Sequence, residues 1–212
     1  MKERTYFSNK FALLLCKGVK NIQELKLVSP IAPSVNHYLG WRAILKGGKP
    51  MAMSYKKPEA IKYQKDFADY VKKEVEKQGW VKSDNKFQHY YMDCIFYFDR
   101  VDKDANNSFK CLADAITDSG VVWIDDTQLC ERVQGIYYDS ENPRIEIIIH
   151  KVDYIGVFEN ASQLEQFESR CIGCNRYKRN CSVLQKAKEG RIQEEIENYE
   201  CKKYKGEEGN EN

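Results

Sequence analysis

The sequence predicts a mixed α/β (α+β) domain, a small mixed sheet with helices packed on it, followed by a mainly helical cysteine-containing appendage. Three observations carry this expectation. Between residues 24 and 153, segments of strand and helix period alternate in the order strand, helix, strand, helix, strand, strand. At 212 residues the chain exceeds one ordinary domain of roughly 100–200 residues only by an appendage. Finally, four of the eight cysteines crowd beyond residue 170, a shift in composition that marks a separate module over 154–205.

Taken in order, residues 1–23 are basic and mixed, without a clear period, and read as an N-terminal arm. Glu24–Val28 alternates weakly as a first strand, ended by Pro30 and Pro33. From Gly40 to Lys57 a loop is expected, punctuated by Gly47, Gly48 and Pro50. It carries Arg42, Lys46, Lys49, Lys56 and Lys57 and no acid, with Tyr38, Trp41 and Tyr55 interleaved. Cations reach phosphates and aromatic faces stack on exposed bases, so these residues are candidates for DNA contact. A solvated loop whose aromatics pack on the core is the alternative.

Pro58 suits the first turn of a helix running to about Lys77, with Ile61, Phe67, Ala68, Val71 and Val75 as its apolar stripe. Gln78-Gly79 stops it. Phe87–Phe98 is strand-like, with Met92, Cys94, Phe96 and Phe98 on one face. A helix over about 107–118 buries Phe109, Leu112, Ala113 and Ile116 and ends at Gly120. Val121–Ile124 reads as a short apolar strand pointing into Asp125-Asp126. Leu129–Tyr138 and Arg144–Val152 look like two antiparallel strands joined by the turn Asp139–Pro143, with Ile145, Ile147 and Ile149 sharing a face.

Composition excludes more than it selects. The net charge of +2 names no partner, so any basic patch is local. No apolar run reaches the roughly 18 residues of a membrane helix. Phe11–Cys16 is too short for a secretory segment and lacks a small-residue cleavage site, so a cytoplasmic protein is expected. Cys16, Cys94, Cys111 and Cys130 lie among apolar residues and read as reduced, buried thiols.

The densest chemistry lies at Asp99–Lys110. Asp99, Asp102 and Asp104 close a strand, and Asn106 and Asn107 open a helix, where side chains and backbone N–H groups converge on ions. A hard divalent cation takes a few oxygen ligands in such a place and, beside a phosphodiester, activates water and neutralises developing charge. Lys110 lies four residues after Asn106, on the same helix face, and offers an ammonium to phosphate. The competing reading makes these acids helix caps and a solvated turn. Asp125-Asp126, a second acid pair after an apolar run, favours the ion site, because acids from different elements can meet at one cation.

Four segments then resemble, in order, the RusA-type Holliday-junction resolvases. Asp104-Ala-Asn-Asn-Ser-Phe-Lys-Cys-Leu-Ala-Asp-Ala-Ile116 is similar to the family's central signature, and Trp123-Ile-Asp-Asp-Thr-Gln128 to its Trp-x-Asp-Asp-x-Gln segment. Pro33-Ser-Val-Asn-His-Tyr38 resembles its N-terminal motif and Arg144-Ile-Glu-Ile its closing strand, so that residues 25–152 are covered. The resemblance implies a homodimeric endonuclease that cuts four-way DNA junctions with Mg²⁺ or Mn²⁺ held by three aspartates. Carried over, the first falls on Asp104 and the third on Asp126, with Lys110 as the catalytic lysine. The second falls on Asn106, whose amide oxygen binds a cation without bringing charge. Three accounts fit Asn106: an introduced change that disarms the enzyme, a natural residue in a slow enzyme or binding protein, or a shifted pair in which Asp102 supplies the charge. The retained Asn-x-x-Lys spacing disfavours the third.

Cys171-x2-Cys174-x6-Cys181-x19-Cys201 lies outside the resemblance. A structural Zn²⁺ is one reading; free cysteines and an iron–sulfur cluster are the others. Leu184–Tyr199 reads as a Glu-rich helix, Arg170, Arg176, Lys178 and Arg179 surround the cysteines, and 206–212 is expected to be a disordered tail.

Overall fold

The computed structural model describes residues 23–206, so the N-terminal arm, Cys16 and the end of the tail lie outside the described residues. Four strands form the main sheet: β1 (Glu24–Ser29), β4 (Tyr90–Phe98), β5 (Leu129–Tyr138) and β6 (Arg144–Lys151), in the order β1-β6-β4-β5. The β1/β6 and β6/β4 pairs are antiparallel, and β4/β5 is parallel. Strand period 2 gives this sheet one apolar face. Leu25 and Leu27, Met92, Cys94 and Phe96, and Ile145, Ile147 and Ile149 are all buried on it.

Two helices cover that face. α2 (Pro58–Gln78) starts at Pro58 and ends where Gly79 takes the left-handed conformation at φ 66°. It buries Ala60, Gln64, Phe67, Ala68 and Val71, whereas Ile61 of the expected stripe faces solvent. α3 (Asn106–Ser119) buries Phe109, Leu112, Ala113 and Ile116 as predicted, and Gly120 closes it. Because β4 and β5 are parallel, the chain must cross over between them, and α3 is that crossover. This puts Asn106 near the end of β4 and brings the chain back to the start of β5.

Four expectations are corrected. Residues 40–57 are not a loop: β2 (Leu39–Lys46) and β3 (Lys49–Lys56) pair antiparallel, preceded by the one-turn helix α1 (Val35–Tyr38). Gly47 and Gly48, at φ 60° and 78°, form a two-residue left-handed turn that matches the twist of the ribbon. Next, β5 and β6 do not pair with each other; the Asp139–Pro143 turn carries the chain across β4, which lies between them. Val121–Ile124 is not a strand; Val122 and Trp123 are core residues in an irregular segment before a 3-10 turn at Asp126–Gln128. Lastly, the appendage is mixed, with α4 (Ala161–Ile172), α5 (Val183–Lys188) and the two-residue strands β7 (Ile196–Glu197) and β8 (Glu200–Cys201) where one Glu-rich helix is expected.

Among the described residues no helix is long and apolar enough to cross a membrane. Cys94 and Cys111 are buried, Cys130 is half-buried, and every described cysteine is a free thiol.

Candidate functional site

Asn106, Lys110 and Asp114 follow one another at four-residue spacing along one face of α3. Lys110 Nζ lies 2.8 Å from Asp114 Oδ1, one turn on, and 2.8 Å from Asp126 Oδ2, across the gap to the 3-10 turn. Hydrogen bonds from Lys110 to Asp114 and then to Asp126 hold the ammonium well above the ordinary lysine range, so it stays a cation.

Asp114 is itself held from three sides. Tyr38 Oη–H donates to Oδ2 in a short hydrogen bond, Gln64 Nε2 donates at 3.2 Å, and Lys56 Nζ stands 3.5 Å away. Lys56 also donates to Gln64 Oε1 at 3.0 Å. Burial works against charge on Asp114, but the bonds from Lys110 and Tyr38 outweigh it and keep the carboxyl below its usual range. Tyr38 and Gln64 are both 5 % exposed, so this support is fixed in the core wall.

The two adjacent acids at 125 and 126 divide their roles. Asp125 accepts from the Thr127 N–H at 2.9 Å and, with Gln128, forms a capping box around the 3-10 turn. Buried Gln128 accepts from the Ile124 N–H and donates to the carbonyls of Asn85 and Gln88. Trp123 Nε1 donates to Thr117 Oγ1 at 2.7 Å. These three residues fix the turn, and that frees Asp126 to face Lys110. Glu131, two residues into β5, is pushed up by partial desolvation and then by the charge of Asp126.

Asp104 belongs to the opening of α3. Its Oδ1 accepts from the Asn106 N–H at 2.9 Å and its Oδ2 from Asn107 Nδ2 at 3.1 Å, so it serves as a helix cap. It lines a cleft of about 590 Å³ with Asp99, Asp102, His37 and Glu59. Asp102 is paired with Arg100 at 2.7 Å and Asp99 with Lys103 at 3.9 Å, both in exposed positions. Asn106 is exposed. Asp104 and Asp126 are therefore each tied to the first two turns of α3, one through its backbone entry and one through Lys110. Among the described residues no three His, Cys, Asp or Glu side chains close into a metal-holding group. Asp104, Asn106 and Asp126 offer oxygens of the kind a hard cation takes, but one of the three is an uncharged amide and the Asp104 carboxylate already accepts two hydrogen bonds, so the set fits such an ion weakly.

Of the expected DNA-contacting residues, Arg42, Lys46 and Lys49 lie on the β2–β3 ribbon, exposed, with Arg42 over the Tyr55 ring at 5.8 Å. Trp41 is 69 % exposed beside them. Lys56 is different: it turns back into the Asp114 network, 5.4 Å over the Tyr38 ring. Lys57 precedes α2 at its N-cap position. At the far end of the sheet, Arg144 lies 3.7 Å over the Tyr97 ring and bonds Glu146 and Asp139, which ties the turn before β6 to its strand.

Sequence reasoning assigned no role to Asp114, Gln64 or Glu131, and it read Tyr38 as a stacking face where the structure buries it against Asp114. For Asp114 the signal was present, since it lies one helical turn after Lys110.

The domain is thus an α+β fold in which a lysine is clamped between two carboxylates at a strand-to-helix crossover. Residues 30–150 match the family model of the endodeoxyribonuclease RusA, and the chain belongs to that family. Its members are Holliday-junction resolvases, endonucleases that act on branched DNA. No curated protein matches the chain. The motifs outside the acid positions acquire physical roles in this fold. Tyr38 supports Asp114, Trp123 and Gln128 shape the turn that presents Asp126, and Arg144 anchors β6.

Proposed function

We propose that this chain, as a homodimer, resolves four-way DNA junctions by divalent-cation-dependent phosphodiester hydrolysis, and that Asn106 leaves its site one negative charge short. The observation that carries the reading is Lys110, held between Asp114 and Asp126 at the opening of α3. Asp104, Asn106 and Asp126 would hold Mg²⁺ or Mn²⁺, which when bound supplies an activated water and neutralises charge on the phosphate. The protein's own part is to aim a permanent cation. Lys110 places its ammonium where a phosphate or leaving oxygen gains negative charge, and Asp114, Tyr38 and Gln64 keep it there. Arg42, Lys46, Lys49 and Lys57 contact the backbone of the junction arms, and Trp41 and Tyr55 present faces on which an unpaired base stacks.

One feature supports a second reading, a branched-DNA-binding or partner-recruiting protein that retains the fold without cutting. The amide at 106 brings no charge, and the Asp104 carboxylate is engaged by the Asn106 and Asn107 donors. A cleavage assay on a labelled four-way junction with Mg²⁺ or Mn²⁺ separates the two, run on this chain and on Asn106→Asp. The nuclease reading expects symmetric nicks from Asn106→Asp, at least about 100-fold faster than from the parent, the scale of losing one group that stabilises transition-state charge. An Asn106→Asp protein that binds the junction and leaves it intact sinks that reading.

A further inference from the structure

The segment after Val152 is short of ordinary stabilisation. Its core consists of Phe158, Phe167, Val183 and Ala187, with half-buried neighbours around them. β7 and β8 are two residues each, and a ribbon that short does not hold itself together. Between them Asn198 and Tyr199 take positive φ, at 48° and 59°, a conformation that a bulky residue adopts only when its surroundings impose it. The ion pairs at its rim, Arg170–Glu200 and Lys202–Glu197, are mostly exposed and contribute little. A unit this small needs a cross-link.

The material for one is present. Cys171 lies in the last turn of α4, the turn after it carries Cys174, Cys181 stands just before α5, and the tight β7–β8 turn brings Cys201 back to them. All four line one cleft of about 980 Å³, and all four are half-buried free thiols. The turns that carry them are laced together: the Cys174 N–H donates to the Cys171 carbonyl at 3.0 Å, the Asn175 N–H to the Lys205 carbonyl at 2.8 Å, and the Lys205 N–H points at Cys174 Sγ at 3.5 Å.

The four thiols line one cleft without themselves closing into a metal-holding group; from their common lining we infer that Cys171, Cys174, Cys181 and Cys201 draw together on one structural Zn²⁺ that staples α4, α5 and the β7–β8 ribbon. Four thiolates around one small divalent ion satisfy the tetrahedral preference of zinc, and binding releases their protons to solvent. A zinc tetrathiolate carries two net negative charges. Lys178 and Arg179 line the same cleft and offset them, whereas Lys188 and Lys203 there are paired with Glu168 and Glu195. The Lys205 N–H aimed at Cys174 is the kind of backbone donor that steadies a coordinating sulfur. An iron–sulfur cluster takes the same ligands, and metal analysis separates it from zinc.

The test is metal analysis of the full chain purified without chelator. About one zinc per chain and negligible iron are expected. The Cys174→Ser/Cys201→Ser double variant should lose the zinc, and Cys130→Ser, outside the cluster, should keep it. Where the double variant does not fold, the unaltered chain still decides: Co²⁺ exchanged into it must give the visible absorption of a tetrahedral tetrathiolate. Absence of zinc from the unaltered chain, iron with labile sulfide in its place, or zinc retained by the folded double variant overturns the proposal. None of these readouts depends on nuclease activity.

Discussion

Asp114 sets where Lys110 points. A lysine with 56 % of its side chain exposed loses considerable rotamer entropy on being fixed, and one surface ion pair rarely compensates for that. Here two carboxylates do so together, and one of them is anchored by a buried tyrosine and a buried glutamine. Asp114→Asn should therefore cut junction cleavage in the Asn106→Asp background by about 10- to 100-fold, the scale of misplacing a group near the reacting centre. Junction affinity should change little, as single-turnover rates and a binding isotherm would show. Tyr38→Phe should give a smaller loss in rate. Because bonds to Asp114 and Asp126 raise the Lys110 pKa, its stabilising charge is fully present below the ordinary lysine value and is lost only above it. Activity should thus show no basic limb from Lys110 between pH 6 and about pH 9, given a reference lysine pKa near 10.4. The sequence made the Lys110–Asp114 spacing legible, since helical period alone puts them on one face. Tyr38 lies 76 residues upstream of Asp114, and only the folded sheet brings it there.

At the scale of elements, the β2–β3 ribbon shows what sequence patterns conceal. Its charges and aromatics read as a loop because Gly47, Gly48 and Pro50 are breakers in isolation. As a left-handed pair flanked by two eight-residue segments, the same glycines are a hairpin signal. The strands themselves were hard to see because, among the described residues, most of the ribbon is left uncovered, so no buried face imposes alternation. The β5 and β6 segments were legible as strands but not as neighbours, since the insertion of β4 between them is a property of topology. Lys46 and Lys49 pair across the turn at the exposed tip of the ribbon. If the tip follows the DNA backbone, replacing both with alanine should weaken junction binding and lower the slope of log affinity against log salt by about 2, one for each phosphate contact. An unchanged slope would place the DNA elsewhere.

For the whole molecule the deciding question is how one chain with one lysine clamp would cut two strands. A four-way junction has two-fold symmetry, and a two-fold dimer presents two equivalent sites to it. The structure offers a surface for that partner beside the clamp. β5 is an edge strand whose outer side has no sheet neighbour among the described residues, and Val133, Ile136 and Tyr138 on it are 42 %, 45 % and 54 % exposed. An edge that apolar invites pairing with another chain unless something covers it. A second copy would cover it, and because β5 begins directly after Gln128, pairing about a two-fold axis through the middle of the strand would set the two Asp126–Lys110 pairs at opposite ends of the joined edge. Ile136→Glu puts a charge in the middle of this strip without touching the clamp. Sedimentation should then shift from dimer to monomer at micromolar concentration. In the Asn106→Asp background, paired symmetric nicks should give way to single nicks or none. A dimer that survives Ile136→Glu unchanged would move the interface away from β5, and a monomeric parent that still cuts both strands symmetrically would remove the need for a partner.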